Sequence, residues 1–259
     1  MSHICQSVLV DRRGCQTAQM ATLSYEFEDG HVIPRHAHPE DQLIYASKGV
    51  MTVETAHGTW VVPPLRAVWI PAGTPHSVAM SGRVSMRTLY LHPRLIRDLP
   101  GKCFVMNVSP LLRELILHAC ELRKLNKKTP IHRRVIEIIV DQLRTTHSIA
   151  LQLPHPSDFR AMRVVKVLLA NPEKPWTLEA LSENCGASRR TIERLFLAET
   201  KMTFSQWRQQ LRLLRAVQLL ASGESVTEAA MTVGYGSVSA FIHMFRRQLG
   251  RTPGRYFFR

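Results

Sequence analysis

Acidic residues are scarce in this chain of 259 residues, where 20 Asp and Glu face 34 Lys and Arg for a formal charge of +14. That balance disfavours cationic partners and points to anionic ones, nucleic acid before membrane surface. The excess is spread out: residues 158–259 carry 16 basic against 8 acidic side chains, and residues 1–157 carry 18 against 12. Charge alone therefore marks no site. Cysteines are few and unpaired in spacing. Cys5, Cys15, Cys103, Cys120 and Cys185 lie far apart, which excludes a zinc finger and gives no disulfide framework. Their odd number also argues against a stapled secreted fold. No apolar run reaches the length of a membrane span. No basic stretch followed by an apolar one opens the chain, so no secretory leader is expected. The cytoplasm is the expected compartment, without a membrane partner. The apolar fraction of 45% suits a chain with true hydrophobic cores, and the length fits one large domain or two small ones.

Three stretches differ in pattern, 1–95, 96–157 and 158–259. In the first, short runs such as QLIYA, VMTVET, TWVVPP, AVWIPA and SMRTLYL are rich in Val, Ile, Trp, Tyr and Thr and separated by turn residues. They predict several short strands in a sandwich or barrel. In the second, Leu111, Leu112, Leu115, Ile116, Ala119, Leu122 and Leu125 form a helical stripe over 109–126, with Ser109 as N-cap and Pro110 as the first helical residue. A further helix is predicted over 131–146. LQLPHPSD at 151–158 has two prolines and no helical period, and reads as an interdomain linker. From Phe159 onward the chain reads as helix, with candidates over 158–170, 177–184, 188–199, 204–221, 226–232, 237–249 and 253–257.

Within that helical stretch one pattern occurs twice. WTLEALSENCGASRRTIERLF (176–196) lies without gaps over SVTEAAMTVGYGSVSAFIHMF (225–245), 49 residues on. Glu179 matches Glu228, Ala180 matches Ala229, Ser188 matches Ser237 and Phe196 matches Phe245, with Ile192 over Phe241. Each copy reads as helix, tight turn, helix, a unit that can lay its second helix in a major groove. In copy one, Leu178, Leu181, Thr191, Ile192, Leu195 and Phe196 are expected inward, Gly186 at the turn and Ser188 as cap. Arg189, Arg190, Glu193 and Arg194 are left outward. Arg suits guanine O6/N7 or phosphate, and Glu can accept from cytosine N4. A solvated helix face is the other reading of these charges; the second copy favours DNA. In copy two, Ala240, Phe241, Met244 and Phe245 are expected inward. Val238, Ser239, Ile242 and His243 are exposed candidates, and Arg246 and Arg247 suit phosphates.

Residues 159–257 resemble the C-terminal domain of AraC/XylS-type bacterial transcription regulators. The resemblance rests on SRRTIERLF, FSQWRQQLRLLRAVQLL and SVTEAAMTVGYGSVSAFIHMFRRQLGRTPGRY in that order. It implies two reading helices entering successive major grooves on one face of a promoter. The base-reading positions it implies are Arg190, Glu193 and Arg194 in copy one and Val238, Ser239 and His243 in copy two. His243 departs from the Arg common there, and a neutral His lacks the Arg fork. Lys201 stands where a helix-ending Gly is common.

The first stretch carries Gly30-x5-His36-x-His38-x3-Gln42-x6-Gly49 and then Pro71-x-Gly73-x2-His76. This resembles the paired motifs of a cupin barrel, whose imidazoles and carboxylate converge on a divalent transition metal. Gln42 occupies the acidic position, Leu65 replaces the usual opening Gly of the second motif, and Met80 stands where Asn is frequent. Two readings stay open. His36, His38 and His76 could hold Zn²⁺, Ni²⁺ or Fe²⁺ as a sensory site. With Gln42, they could instead line a metal-free effector pocket or be ordinary polar positions in a barrel mouth. Glu40 and Asp41 flank the motif as alternative oxygen ligands, and Trp60 and Trp69 are expected to pack in the barrel.

The expected architecture is thus an all-β cupin-like barrel at 1–95, a helical dimerisation or packing region and linker at 96–157, and an all-α domain with two helix-turn-helix motifs at 158–259. The expected function is a regulator that binds double-stranded promoter DNA, answers a small molecule or metal, and either activates through RNA polymerase or represses. A homodimer is expected, since tethering two readers raises affinity. No cofactor is required beyond the candidate metal. The VVPPLRAVWIPAGTPHSV stretch resembles a subgroup associated with neighbouring transporter or efflux genes. The rival is a cupin-type metalloenzyme carrying a DNA-binding domain; Gln42 and the lack of an acid–base pair weigh against it.

Overall fold

The computed structural model describes residues 18–146, 148–149, 151–172, 174 and 176–257. Cys5 and Cys15 lie outside them. The chain divides into two compact units: Met1–Thr55 with Trp60–Gln152, and Ala56–Thr59 with Leu153–Arg259. The first is β-rich, the second helical. No helix among the described residues is long and apolar enough to cross a membrane.

Two long strands organise the first unit, β3 (Asp41–Thr55) and β6 (His76–Leu91), of 15 and 16 residues. They pair antiparallel from Asp41 opposite Leu91 to Glu54 opposite Ser77. The register slips around Lys48, where Gly49 adopts φ +71°. A Cβ there would lie 2.6 Å from the Arg83 carbonyl oxygen and 2.7 Å from Val84 Cγ2, so only glycine lets the two backbones approach this closely. β1 (Met20–Phe27) lies along the distal half of β6, and β2 (Val32–His36) along its start. β5 (Arg66–Ile70) follows β3, and β7 (Phe104–Asn107) follows β5. β8 (Lys124–Leu125) and β9 (Ser148–Ile149) are the outermost strands, while β4 (Gly58–Val62) pairs with β3 and β10 (Gln152–Pro154).

The expected closed, cupin-like barrel is not present. The order β8-β1-β6-β3-β5-β7-β9 is a path with two ends, and closure requires the end strands to pair with each other. The ends here are two-residue strands. Helices cover one face instead. α1 (Pro110–Leu122) and α2 (Pro130–Arg144) place Leu112, Ile116, Ala119, Ile136, Ile139 and Leu143 in one core with Leu43, Tyr45, Trp69, Leu89 and Leu91 of the sheet. The apolar stripe of the helical region is therefore buried against its own sheet. Ser109 caps α1, accepting from the Leu112 amide at 3.0 Å, and Pro110 opens it. Two details differ from the stripe as read. Leu111 is 53% exposed, and Leu125 is buried on β8 after the helix has ended at Leu122. Residues 20–27, 32–36 and 104–107 are strands that the sequence runs did not announce. Trp60 and Trp69 are both packed inside.

The second unit holds seven helices among the described residues: α3 (Phe159–Ala170), α4 (Leu178–Cys185), α5 (Arg189–Thr200), α6 (Phe204–Ala221), α7 (Val226–Thr232), α8 (Val238–Leu249) and α9 (Pro253–Phe257). Ser, Thr or Asp caps the first six. Asp158, Thr177, Ser188, Thr203, Ser225 and Ser237 each accept a backbone N–H from the first turn, each cap contributing about 1 kcal/mol. At Thr203 and Ser225 the bond is reciprocated by Gln206 and Glu228, closing capping boxes. α6 buries Trp207, Leu211, Leu214, Val217 and Leu220 along its length. The Phe196 and Trp207 rings meet edge to face at 5.4 Å, and Trp207 donates to the Pro154 carbonyl at 2.8 Å. Pro154 ends β10, a short strand inside the segment read as linker.

Candidate nucleic-acid interface and effector pocket

In the second unit, α5 and α8 begin 49 residues apart, at Arg189 and Val238. On α5 the inward stripe is Ile192, Leu195 and Phe196, with Thr191 half-buried. Leu178 and Leu181 of α4 are buried beside them, and Gly186 makes the turn in the left-handed region at φ 66°. Arg189, Arg190, Glu193 and Arg194 are all exposed, as the helical period requires once the opposite face is packed.

These four are not equivalent. Arg189 donates to Glu179 of α4 at 2.5 Å and to Glu193 at 3.0 Å. The two carboxylates hold its pKa above the ordinary value, with Glu193 the larger cause. Glu179 is held below the usual carboxylate range by backbone hydrogen bonding and by Arg189. Arg190 and Arg194 have no ion pair among the described residues and keep their full donor capacity. A groove of about 910 Å³ runs beside them, and Arg208 of α6 lies in it. Arg208 donates to the carbonyls of Trp176 at 2.7 Å and Lys174 at 3.1 Å. Sequence reasoning missed Arg208, because its place in α6 reads as an amphipathic helix position.

On α8, Phe241, Met244 and Phe245 are buried, Val238 and Ile242 half-buried, and Ser239, His243, Arg246 and Arg247 exposed. Ala240 was expected inward and is exposed. The buried stripe is centred on Phe241, Phe245 and Leu249, and Ala240 lies about a quarter turn off it. The second surface thus carries fewer charges than the first.

In the first unit, His36 ends β2, His76 starts β6 opposite it, and His38 precedes β3. All three are buried, His76 completely. One nitrogen of each ring lies within 4.8 Å of one of each other ring. Each Nδ1 faces a backbone carbonyl: Pro34 at 2.8 Å for His36, Glu40 at 2.9 Å for His38 and Thr74 at 2.8 Å for His76. A carbonyl only accepts, so each Nδ1 carries the proton. Burial lowers the pKa of His76 to about 4, and also lowers that of His36. At neutral pH both therefore present an Nε2 lone pair. The Gln42 side-chain amide links the cluster to β6, bridging His38 Nε2 and Thr88 Oγ1 at 2.9 Å each; with the His38 proton on Nδ1, the amide NH₂ is the donor to Nε2.

A cavity of about 270 Å³ opens beside this cluster. His36, Gln42 and His76 line it; His38 sits behind them and does not. Tyr25, Phe27, Ile44, Val78 and Met86 supply its apolar wall, with Tyr90 beside Gln42. Tyr25 and Phe27 were missed with β1, although their alternation was a signal for one strand face. Asp41 does not join the cluster, because its Oδ1 accepts the Ala72 amide at 2.9 Å.

Comparison with known proteins agrees with this two-part layout. Residues 22–150 match the family described as AraC-like ligand binding domain, and residues 181–259 match a helix-turn-helix domain family. The chain is 37% identical to the HTH-type transcriptional regulator NimR of Escherichia coli K12 over 86% of this chain and 81% of that protein. It is 38% identical to the HTH-type transcriptional regulator RipA of Corynebacterium glutamicum over 40% of this chain and 31% of that one. A crystal structure of the DNA-binding domain of AdpA with a target DNA is 38% identical, covering 39% of this chain and 90% of that chain at a TM-score of 0.36. The match to NimR across most of both chains supports a non-enzymatic DNA-binding role over the metalloenzyme alternative. Two capped helix-turn-helix copies and the relative matched across most of both lengths lead to one conclusion: the chain belongs to the AraC/XylS family of sequence-specific, DNA-binding transcription regulators.

Proposed function

We propose that the protein reads promoter DNA mainly through α5 and senses a small molecule through the cavity beside the histidines. The observation that carries the first part is the exposure of Arg190 and Arg194 without ion pairs, on a helix whose opposite face is packed. Both suit guanine, and Glu193, held by Arg189, suits cytosine N4. Arg189 acts as the clamp. Val238, Ser239, Ile242 and His243 give the second helix a less charged contact surface, with Arg246 and Arg247 reaching phosphates. The cavity size and its apolar wall with converging polar groups suit a small effector, with a divalent metal at His36, His38 and His76 as the other occupant. Effector binding biases DNA binding through unequal affinity for two states. Pairing of two chains and contact with RNA polymerase complete the proposed scheme, in the bacterial cytoplasm and at a promoter near a transporter or efflux gene.

The test starts with recovery of genomic DNA fragments by the purified chain. On a recovered site, Arg194→Ala should weaken binding by about 1–3 kcal/mol while changing non-specific affinity far less. Fluorescence anisotropy at several salt concentrations measures both. Unchanged affinity of the variant for the recovered site at every salt concentration overturns the assignment.

A further inference from the structure

The three imidazoles share an arrangement that a polar pocket does not by itself require. Each is tied at Nδ1 to a backbone carbonyl at 2.8 or 2.9 Å. Those ties fix all three rings in one tautomer and leave Nε2 as the ligand atom of each. Such ties are the usual support behind a metal-ligating histidine. His76 Nε2 is buried and has no hydrogen-bond partner among the described residues. Glu40, 2% exposed, places Oε2 3.9 Å from His38 Nδ1, a carboxylate behind an imidazole that balances charge at a bound cation. The ring nitrogens lie within 4.8 Å; a tetrahedral ion with bonds of about 2.1 Å holds its ligand atoms about 3.4 Å apart, so binding draws the rings inward.

We propose that His36, His38 and His76 form a gated site for a divalent transition metal of the zinc type, in which Gln42 competes for His38. The proposal rests on reading this unit as the sensing half of the regulator. Imidazole ligands without thiolate select Zn²⁺, Ni²⁺ or Co²⁺ over Mg²⁺ and Ca²⁺. His36 and His76 line the cavity and are ready to bind. His38 Nε2 is engaged by Gln42, so full coordination requires that contact to break. Breaking it frees Gln42 beside Thr88 of β6, which makes occupancy felt along the long strand pair. The remaining coordination position faces the cavity, where a donor atom of an effector can complete it.

The experiment uses the full, tag-free chain, stripped with chelator and titrated with Zn²⁺, and with Co²⁺ as an absorbing probe. One equivalent should bind, and Co²⁺ should develop the strong visible bands of a tetrahedral nitrogen site. His36→Gln and His76→Gln should each weaken binding by at least about tenfold, and Gln42→Ala should tighten it by about tenfold. Circular dichroism melting confirms that each variant folds. No stoichiometric binding, or unchanged binding in the His36→Gln/His76→Gln double variant, overturns the site. Weaker binding by Gln42→Ala overturns the gate. DNA affinity measured on the metal-free chain separates the two readings. Specific DNA binding without any metal binding sinks the metal site alone; metal binding without specific DNA binding sinks the regulatory reading alone.

Discussion

Gly49 stands where the neighbouring strand leaves no room for a side chain, and it sets a cost that the sequence does not show. Its φ of +71° and the two contacts below 3 Å that a Cβ would make predict that Gly49→Ala lowers stability by about 2–4 kcal/mol. Urea unfolding followed by circular dichroism measures this, and a loss under about 0.5 kcal/mol would contradict the close approach. Single residues were legible where chemistry is written locally. His36, His38 and His76 stood out by spacing, and the outward Arg and Glu of α5 by helical period. Their partners were not legible. Thr88 lies 46 residues from Gln42, and Glu179 lies on a different helix from Arg189. Such pairs are set by packing, which no local pattern encodes.

Elements of the second unit were readable nearly to the residue because caps and stops are local. Every start from Asp158 to Ser237 carries a side chain that accepts its own first turn. α5 ends less comfortably, on Lys201 at φ 61° in the left-handed region. Its Nζ donates to the Ala198 carbonyl at 2.8 Å, which offsets part of the strain. Lys201→Gly should therefore stabilise the chain by about 0.5–1 kcal/mol, visible as a raised thermal midpoint; a lowered midpoint would show that the lysine contact outweighs the backbone. Leu65, at φ 66° and 45% exposed, occupies the same kind of left-handed position. Strands were harder. β1 pairs with β6 from Met20 opposite Leu91 and with β8 at Met20 and Ala21, and those distant partners make residues 20–27 a strand. The closed barrel was misjudged for the same reason. Motifs around the histidines describe a local cluster, whereas closure depends on whether β8 and β9, two-residue strands outside those motifs, pair with each other.

At the scale of the molecule, a duplicated segment was enough to recognise a DNA reader, but the copies differ in chemistry. Copy one presents Arg190, Glu193 and Arg194; copy two presents Ser239 and His243 between half-buried apolar residues. Joining them is α6, 18 residues long and so about 27 Å from end to end. It is anchored by buried side chains from Phe204 to Leu220. A strut of that kind leaves no slack. With a flexible tether, DNA whose two contact segments are pushed apart by one full turn, about 10 base pairs, recovers binding that a half-turn insertion abolishes, because the segments face the same way again. With α6 as the strut, both insertions should fail alike in gel-shift titrations, and recovery at the full turn would disprove rigidity. The promoter, not the protein, must then carry the whole burden of matching the spacing, and point changes in that spacing become as damaging as changes in the bases themselves.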